Sequence, residues 1–270
     1  MHKFASFNHE ILPANNIKIN AISSAGLYGK GIFTTLAIYN SKPFLWEKHW
    51  RRLNDNAEKI GIDLSEFNEQ KVYNSIEEII EKNNIKNSRC RITFFDESAS
   101  KIWQTSDKNK TSLLIQTADS HEIKQNISVT LSPFLINSTS PLAGVKSCNY
   151  LENILALENA KKDGFDEAIR INKKNEVVSA CMANIFWLEY NKTELFTPSL
   201  ETGCLAGTIR EFLMEKFNVV ETKKEINELF RDAEFMFLTS SGINVVQVSD
   251  FVKEIKFANE LHELTRIIKF

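Results

Sequence analysis

The stretch GVKSCNYLENILALENAKKDGFDEAIRINKKNEVVSACMANIFWLEY, residues 144 to 190, decides how the rest of this chain is read. It opens on a loop lysine, Lys146, preceded by the turn-rich run Asn137-Ser-Thr-Ser-Pro-Leu-Ala-Gly144. Leu151, Ile154 and Leu155 follow at helical spacing and predict a helix packed through that stripe. Lys161 and Lys162 fall in its last turn, and Gly164 stands where a helix-ending residue belongs. Two short strands complete the stretch. Lys146 is thereby placed at the mouth of a packed element. Most lysines are solvated surface charges. One that is partly desolvated, or near a second cation, has a lowered pKa and can act as a Schiff-base nucleophile.

The composition sets bounds around that lysine. A chain of 270 residues, 43% hydrophobic and 25% charged, is one large globular domain or two of ordinary size. Its net charge of -2 gives no reason to expect nucleic acid or an anionic membrane as a partner. No apolar run reaches the roughly 20 residues that span a bilayer, and the start Met-His-Lys-Phe-Ala has no signal-peptide core, so a cytoplasmic protein is expected. Cys90, Cys148, Cys181 and Cys204 are scattered without a CxxC pair, which predicts neither a disulfide framework nor a zinc site.

Toward the N-terminus, residues 4–12 and 17–22 read as short strands, and Gly26-Leu-Tyr-Gly-Lys-Gly allows a tight bend before the strand that follows. Asn40-Ser-Lys-Pro makes a hairpin turn. Trp46, His49, Leu53, Ala57 and Ile60 then share one helical face, with Arg52 at its edge. A second helix is predicted over about 66 to 84 through Val72, Ile76, Ile79 and Ile80. Cys90, Ile92 and Phe94 alternate as one side of a strand, residues 97 to 110 read as a loop, and Ser112 to Gln116 read as another strand. Residues 1–118 form a first domain, 119–123 a linker, and 124–270 a second domain. In the latter, Ile127 to Leu131 is a strand, Asn191-Lys192 a hairpin turn, and Gly207 opens an amphipathic helix whose start suits an anion. Glu234 to Gly242 reads as a buried strand entering a hydroxyl-rich turn, and about 257 to 268 as a closing helix.

Five of these patches, in this order, resemble the class IV (fold type IV) aminotransferases, a family dependent on pyridoxal phosphate (PLP). They are Tyr28-Gly-Lys-Gly-Ile-Phe-Thr-Thr, His49-Trp-Arg-Arg-Leu, the Lys146 run with Asp166-Glu-Ala and Ala183-Asn-Ile-Phe-Trp, Gly203-Cys-Leu-Ala-Gly-Thr-Ile-Arg, and Phe237-Leu-Thr-Ser-Ser. The resemblance implies an α/β fold in two domains, a small N-terminal α/β domain and a larger C-terminal pseudo-barrel of the D-amino acid aminotransferase kind. It implies Lys146 as the catalytic residue carrying PLP as a Schiff base, and Arg52, Thr208, Ile209, Ser240 and Ser241 around the phosphate. Leu205 is implied to pack on the pyridine, with Tyr150 and Ser179 also on the cofactor. Phe33, Lys30, Arg91 and Arg89 are candidates for the substrate, a small amino compound. A homodimer is implied as well.

Departures from the family pattern are as informative. Lys30 stands where Asp is usual, Thr34 where Glu is, Ile209 where Thr is, and Phe95-Asp-Glu where Thr-Arg-Gly is common. Ser179 replaces the Glu that holds the pyridine nitrogen, and Glu176, three residues away, faces the other side of a strand. A hydroxyl only shares a hydrogen bond with that nitrogen, so the ring is expected to be mostly neutral and a weaker electron sink. That suits elimination better than transamination. With the short length, Asn149-x-Leu-Glu152 and Ala183-Asn-Ile-Phe-Trp, the reading favoured is 4-amino-4-deoxychorismate lyase. A transaminase of branched-chain or D-amino acids is the alternative, followed by a PLP-binding homologue without catalysis.

Overall fold

The computed structural model describes residues 1–99, 110–120, 124–258 and 262–267. The chain divides into two compact units: residues up to 120 together with Val145–Asn149, and the remainder from 124 onward. Residues 121–123 of the expected linker, and 100–109 of the expected loop, lie outside the described residues.

The first unit contains β1 (Phe4–Phe7), β2 (Glu10–Pro13), α1 (Ser24–Tyr28), β3 (Gly31–Tyr39), β4 (Lys42–Pro43), α2 (Trp46–Ile60), α3 (Glu69–Lys82), β5 (Ser88–Asp96) and β6 (Thr111–Ala118). Among the described residues its strands form one antiparallel sheet, in the order β2-β1-β6-β5-β3-β4. Both long helices cover one face, where Ile32, Leu36, Ile92, Phe94, Leu53 and Ile76 make a core. Because side chains alternate along a strand, the opposite face carries Phe33 and Thr35 of β3 beside Arg91 and Thr93 of β5. Gly61, at φ 67°, ends α2 in the left-handed conformation that a Cβ would strain. Arg52, expected at the edge of the α2 stripe, is buried.

β4 pairs with only the far half of β3, through Ile38 and Tyr39. The near half of that strand edge is taken by the lysine segment: Phe33 N–H donates to the Lys146 carbonyl at 2.9 Å and Cys148 N–H to the Gly31 carbonyl at 2.8 Å. The expected strand at residues 17–22 does not form. Ile19 and Ile22 are exposed, and β propensity without a partner edge makes no ladder. The bend at Gly26-Leu-Tyr-Gly is instead the short helix α1, closed by Gly29 at φ 65°.

The second unit contains β7 (Asn126–Leu131), α4 (Leu151–Lys162), β8 (Glu167–Ile171), β9 (Val177–Ala180), β10 (Asn184–Glu189), β11 (Leu195–Pro198), α5 (Thr208–Lys216), β12 (Val219–Thr222), α6 (Ile226–Asp232), β13 (Ala233–Ser240), β14 (Asn244–Phe251) and β15 (Ile255–Lys256). Its sheet runs β12-β11-β10-β13-β14-β7-β8-β9, with β15 on β14. It curls as a half-barrel around Val129, Ile169, Ile185, Trp187, Met236, Leu238 and Val248. This is the mixed α/β fold expected from the sequence. The stretch from 144 to 190 holds three strands rather than two. The closing helix reduces, among the described residues, to a 3-10 turn at Glu263–Arg266.

The packing of α4 reverses the expectation. Leu151, Ile154 and Leu155 are 67%, 38% and 44% exposed, while Ala156 and Ala160, one turn apart, are buried against Ala168 and Cys181. Small side chains let the helix lie close to the sheet, with Leu157 packed beside them, while Leu151, Ile154 and Leu155 are turned away from it. Enlarging the contact by Ala156→Leu is expected to cost about 1–3 kcal/mol of stability, whereas the apolar swap Ile154→Met at the exposed face should stay within about 0.5 kcal/mol. Denaturant unfolding of the two variants checks the assignment, and equal losses would refute it.

Candidate active site

In the first unit, two of the sequence-predicted residues meet at the ring of a third, Phe33. The Lys146 ammonium lies 4.7 Å from the Phe33 ring centroid, and the Arg91 guanidinium stacks on that ring at 3.6 Å. Arg91 is aimed by its Nε–H, which donates to Thr93 Oγ1 at 3.3 Å. Burial of Lys146, with the charges of Arg52 and Arg91 added to it, pulls its pKa down to about 7. A large share of the amine is therefore unprotonated at neutral pH, which is the state a nucleophile needs.

Arg52 is held from the core side of the same sheet. Its Nη2 donates to Thr34 Oγ1 at 2.6 Å, and Thr34 Oγ1 lies 2.6 Å from Nδ1 of the fully buried His49. Burial, then the charges of Arg52 and Lys146, keep His49 well below the ordinary imidazole pKa. A neutral Nδ1 accepts the Thr34 hydroxyl proton while Thr34 accepts from Arg52, so the hydroxyl serves both neighbours. Lys30 is ion-paired with the buried Asp96 at 3.0 Å, and Asp96 also accepts from the backbone N–H of Ser98 at 2.9 Å. Two departures from the family pattern, a cation at 30 and an anion at 96, are thus the two partners of one pair. Arg89 is half-buried on the Arg91 face of β5.

In the second unit, α5 begins at Gly207 with no side chain capping it. A Cβ on Gly207 would sit 1.9 Å from Asn184 Oδ1, and Asn184 is fixed by donating to the Leu205 carbonyl at 2.8 Å. Thr208 and Ser241 share a hydrogen bond at 3.1 Å between their hydroxyls, and the Ser240 hydroxyl accepts from Gly242 N–H at 3.3 Å. Ile209 is buried and contributes its backbone N–H to the first turn. A helix start ringed by hydroxyls, with a glycine at which a Cβ would displace the Asn184 side chain, suits the phosphate ester of PLP. Leu205 is half-buried just before this turn. Tyr150 caps α4 and its hydroxyl donates to the Cys181 carbonyl at 3.5 Å. Ser179, on β9, is half-buried opposite Arg170 of β8. Glu176 accepts from the Asn172 side chain at 2.7 Å and is occupied there.

Sequence reasoning passed over two groups. His49 was visible as a helical-face residue one turn before Arg52, but its bond to Thr34 depends on β3 lying beneath α2. Arg170 had a signal, a charge inside the apolar run Ala-Ile-Arg-Ile, that was not followed. It is among the most buried large side chains, donates to Asn153 Oδ1 at 2.7 Å and to the Phe134 carbonyl at 3.3 Å, and pairs with Glu152.

A family profile described as amino-transferase class IV matches residues 31–251. The aminodeoxychorismate lyase of Bacillus subtilis is 23% identical over 251 residues, covering 90% of this chain and 84% of its own. A Legionella pneumophila structure, provisionally a 4-amino-4-deoxychorismate lyase, superposes with a TM-score of 0.82 at 27% identity over 92% of this chain and 91% of its own. The branched-chain amino acid aminotransferase of Escherichia coli superposes with a TM-score of 0.90 at 19% identity, over 98% and 92% of the two chains, which is a likeness of fold.

The charge environment of Lys146 is open to direct titration. Arg91→Gln removes one of the two cations bearing on the amine, so its pKa should rise toward the ordinary lysine value by up to about one unit. The pH dependence of Lys146 labelling by an amine-directed reagent, followed by mass spectrometry, reads that midpoint; no movement would take Arg91 out of the account.

Proposed function

Since the chain belongs to the class IV amino-transferase family and is a PLP-dependent enzyme acting on a small amino compound, we propose that it is a lyase converting 4-amino-4-deoxychorismate to p-aminobenzoate and pyruvate. The observation that carries the catalytic part is the Lys146 amine, drawn to a pKa of about 7 by its burial, Arg52 and Arg91. The reaction itself rests on Ser179 standing at the nitrogen-holding position and on two similar proteins that bear the lyase name.

When bound, PLP supplies an aldehyde that captures amines and a ring that draws electron density from the captured substrate. The chain's own residues do the rest. Lys146 would hold the cofactor and would serve as the base for the substrate α-proton, a task for which a pKa near the working pH is favourable. Arg52, fixed by Thr34, and the start of α5 with Thr208, Ile209, Ser240 and Ser241 are the groups that would bind the phosphate. Leu205 would pack on the pyridine, and Tyr150 and Ser179 would line the cofactor. Arg91 on Phe33 is the cation proposed to read a substrate carboxylate, because the charge of Lys30 is already answered by Asp96. In the proposed reaction the substrate would give up its α-proton to Lys146 and its enolpyruvyl oxygen with the bonding electrons, the substrate ring would become aromatic, and the expelled enolate would take up a proton on its methylene carbon to give pyruvate.

A homodimer belongs to the same proposal, supported by the exposed Leu151, Ile154 and Leu155 of α4.

Pyruvate and p-aminobenzoate are expected from 4-amino-4-deoxychorismate with no keto acid added; turnover that requires an acceptor keto acid would install the branched-chain or D-amino acid transaminase instead. The wild-type protein should carry the visible absorbance of bound PLP, and Lys146→Ala should lack covalently held cofactor. Arg52→Gln is expected to weaken PLP binding by roughly 10- to 100-fold, the worth of a charged hydrogen bond of about 1.5–3 kcal/mol. Retention of a borohydride-reducible cofactor by Lys146→Ala would end the assignment of that lysine.

A further inference from the structure

The replacement of a carboxylate by Ser179 does not stand alone on its sheet. Ser179 and Arg170 are directly opposed in the antiparallel β8–β9 pair. Their immediate neighbours Ile169, Ile171 and Ala180 face the half-barrel core, so Arg170 and Ser179 share the other face, the one on which Arg170 meets Asn153 and Glu152 of α4. Opposed residues in such a pair have Cβ atoms about 4.5–5.5 Å apart. Arg170 is 1% exposed. Its Nη1 donates to Asn153, its Nη2 to the Phe134 carbonyl and to Glu152, and its Nε–H has no partner among the described residues.

The acidic groups that could offset this charge are committed elsewhere or lie in water. Glu152, at the start of α4, pairs with Arg170 but its side chain is 59% exposed. Glu167 of β8 is buried, and its carboxylate accepts the backbone N–H groups of Ala168, Cys181 and Met182 at 2.9, 3.0 and 3.1 Å. Asn153 of α4 and Tyr150, just before that helix, are neutral and bond the Cys181 carbonyl. The charge of a buried guanidinium on the residue opposite Ser179 therefore acts on whatever Ser179 binds, and in a poorly polarisable surround it opposes a second positive charge there. A hydroxyl flanked by a cation donates its proton to a lone pair more readily than it accepts one from a cationic N–H.

We infer that Arg170 is a positioning residue that keeps the pyridine nitrogen of the cofactor unprotonated, with the Ser179 hydroxyl donating to it. The inference rests on the PLP reading above and deepens it. Arg170 acts through its charge and through Ser179, and has no contact of its own with the reacting atoms. An unprotonated ring withdraws electrons less, so the site favours a substrate that carries its own leaving group over one that must be reprotonated on the cofactor.

The test is the state of the ring nitrogen in holoenzyme reconstituted with PLP labelled with 15N at that atom, read by NMR across the pH range of the folded protein. The wild type should show an unprotonated nitrogen throughout. Ser179→Glu should show a nitrogen that titrates, and Ser179→Glu with Arg170→Met should hold the proton to higher pH, while Ser179→Glu with Arg170→Lys should behave as Ser179→Glu alone. Ser179→Glu with Glu152→Gln, which alters only a largely exposed carboxylate, should lose the proton at lower pH because the charge of Arg170 is then less offset. That last pair decides the matter even if Arg170→Met does not fold. A pyridinium in the wild type, or a midpoint in the Ser179→Glu protein that ignores residues 152 and 170, would overturn the role of Arg170. A wild-type protein that retains no labelled cofactor would instead overturn the PLP reading itself.

Discussion

A lysine amine removed from water next to two arginines is the condition on which this structure turns. Moving an ammonium out of water costs free energy, and further cations nearby add to that cost, so the group gives up its proton. Lys146 meets both conditions. The arrangement is stable because neither guanidinium is left without support. Arg91 lies on Phe33 and is aimed by Thr93, and Arg52 is bonded to Thr34. The lysine is held through its backbone as an added rung along the near half of β3, where β4 does not reach. A surface lysine on a flexible loop would keep its proton. Pinning the main chain of Lys146 to the strand fixes the point from which its side chain extends, beside the Phe33 ring.

The residues that depart from the family pattern make physical sense where their neighbours can be seen. Thr34 is shorter than the usual Glu, yet its hydroxyl sits between a buried neutral histidine and Arg52 and bonds to both. A glutamate there would have neutralised Arg52 and lessened its pull on Lys146. Lys30 and Asp96 satisfy one another, so the buried carboxylate is not left alone, a state that would cost several kcal/mol. Ser179 faces a buried arginine rather than supplying a carboxylate to the cofactor. The first two changes preserve the scaffold, while the third alters the electrical character of one face.

The phosphate-suited end of the second unit is built with little side-chain chemistry. Gly207 allows α5 to start against Asn184, and the helix start is left to backbone N–H groups and the hydroxyls of Thr208 and Ser241. Backbone donors are fixed by the helix they belong to, which is why the change from Thr to Ile at 209 is tolerable: the N–H remains where the hydroxyl is lost.

What the sequence determined by itself was whatever depends on local period and on joint order. The α2 and α3 faces, the alternation of Cys90, Ile92 and Phe94, the Gly207 helix start and the ordered family patches were all legible, because each is written in neighbouring residues. The outward turn of Leu151, Ile154 and Leu155 was not. Which stripe of a helix is buried depends on what it packs against, and the buried positions of α4 are two alanines, flanked by Leu157, that carry little signal in a sequence. The same holds for the failed strand at 17–22, which lacked only a partner edge. Lys146 was named from the sequence, but its lowered pKa was decided by tertiary structure, since Arg52 and Arg91 are 94 and 55 residues away along the chain. Arg170 is the clearest case: a charge in an apolar run hints at a reason, but only the register of β8 on β9 places it opposite Ser179.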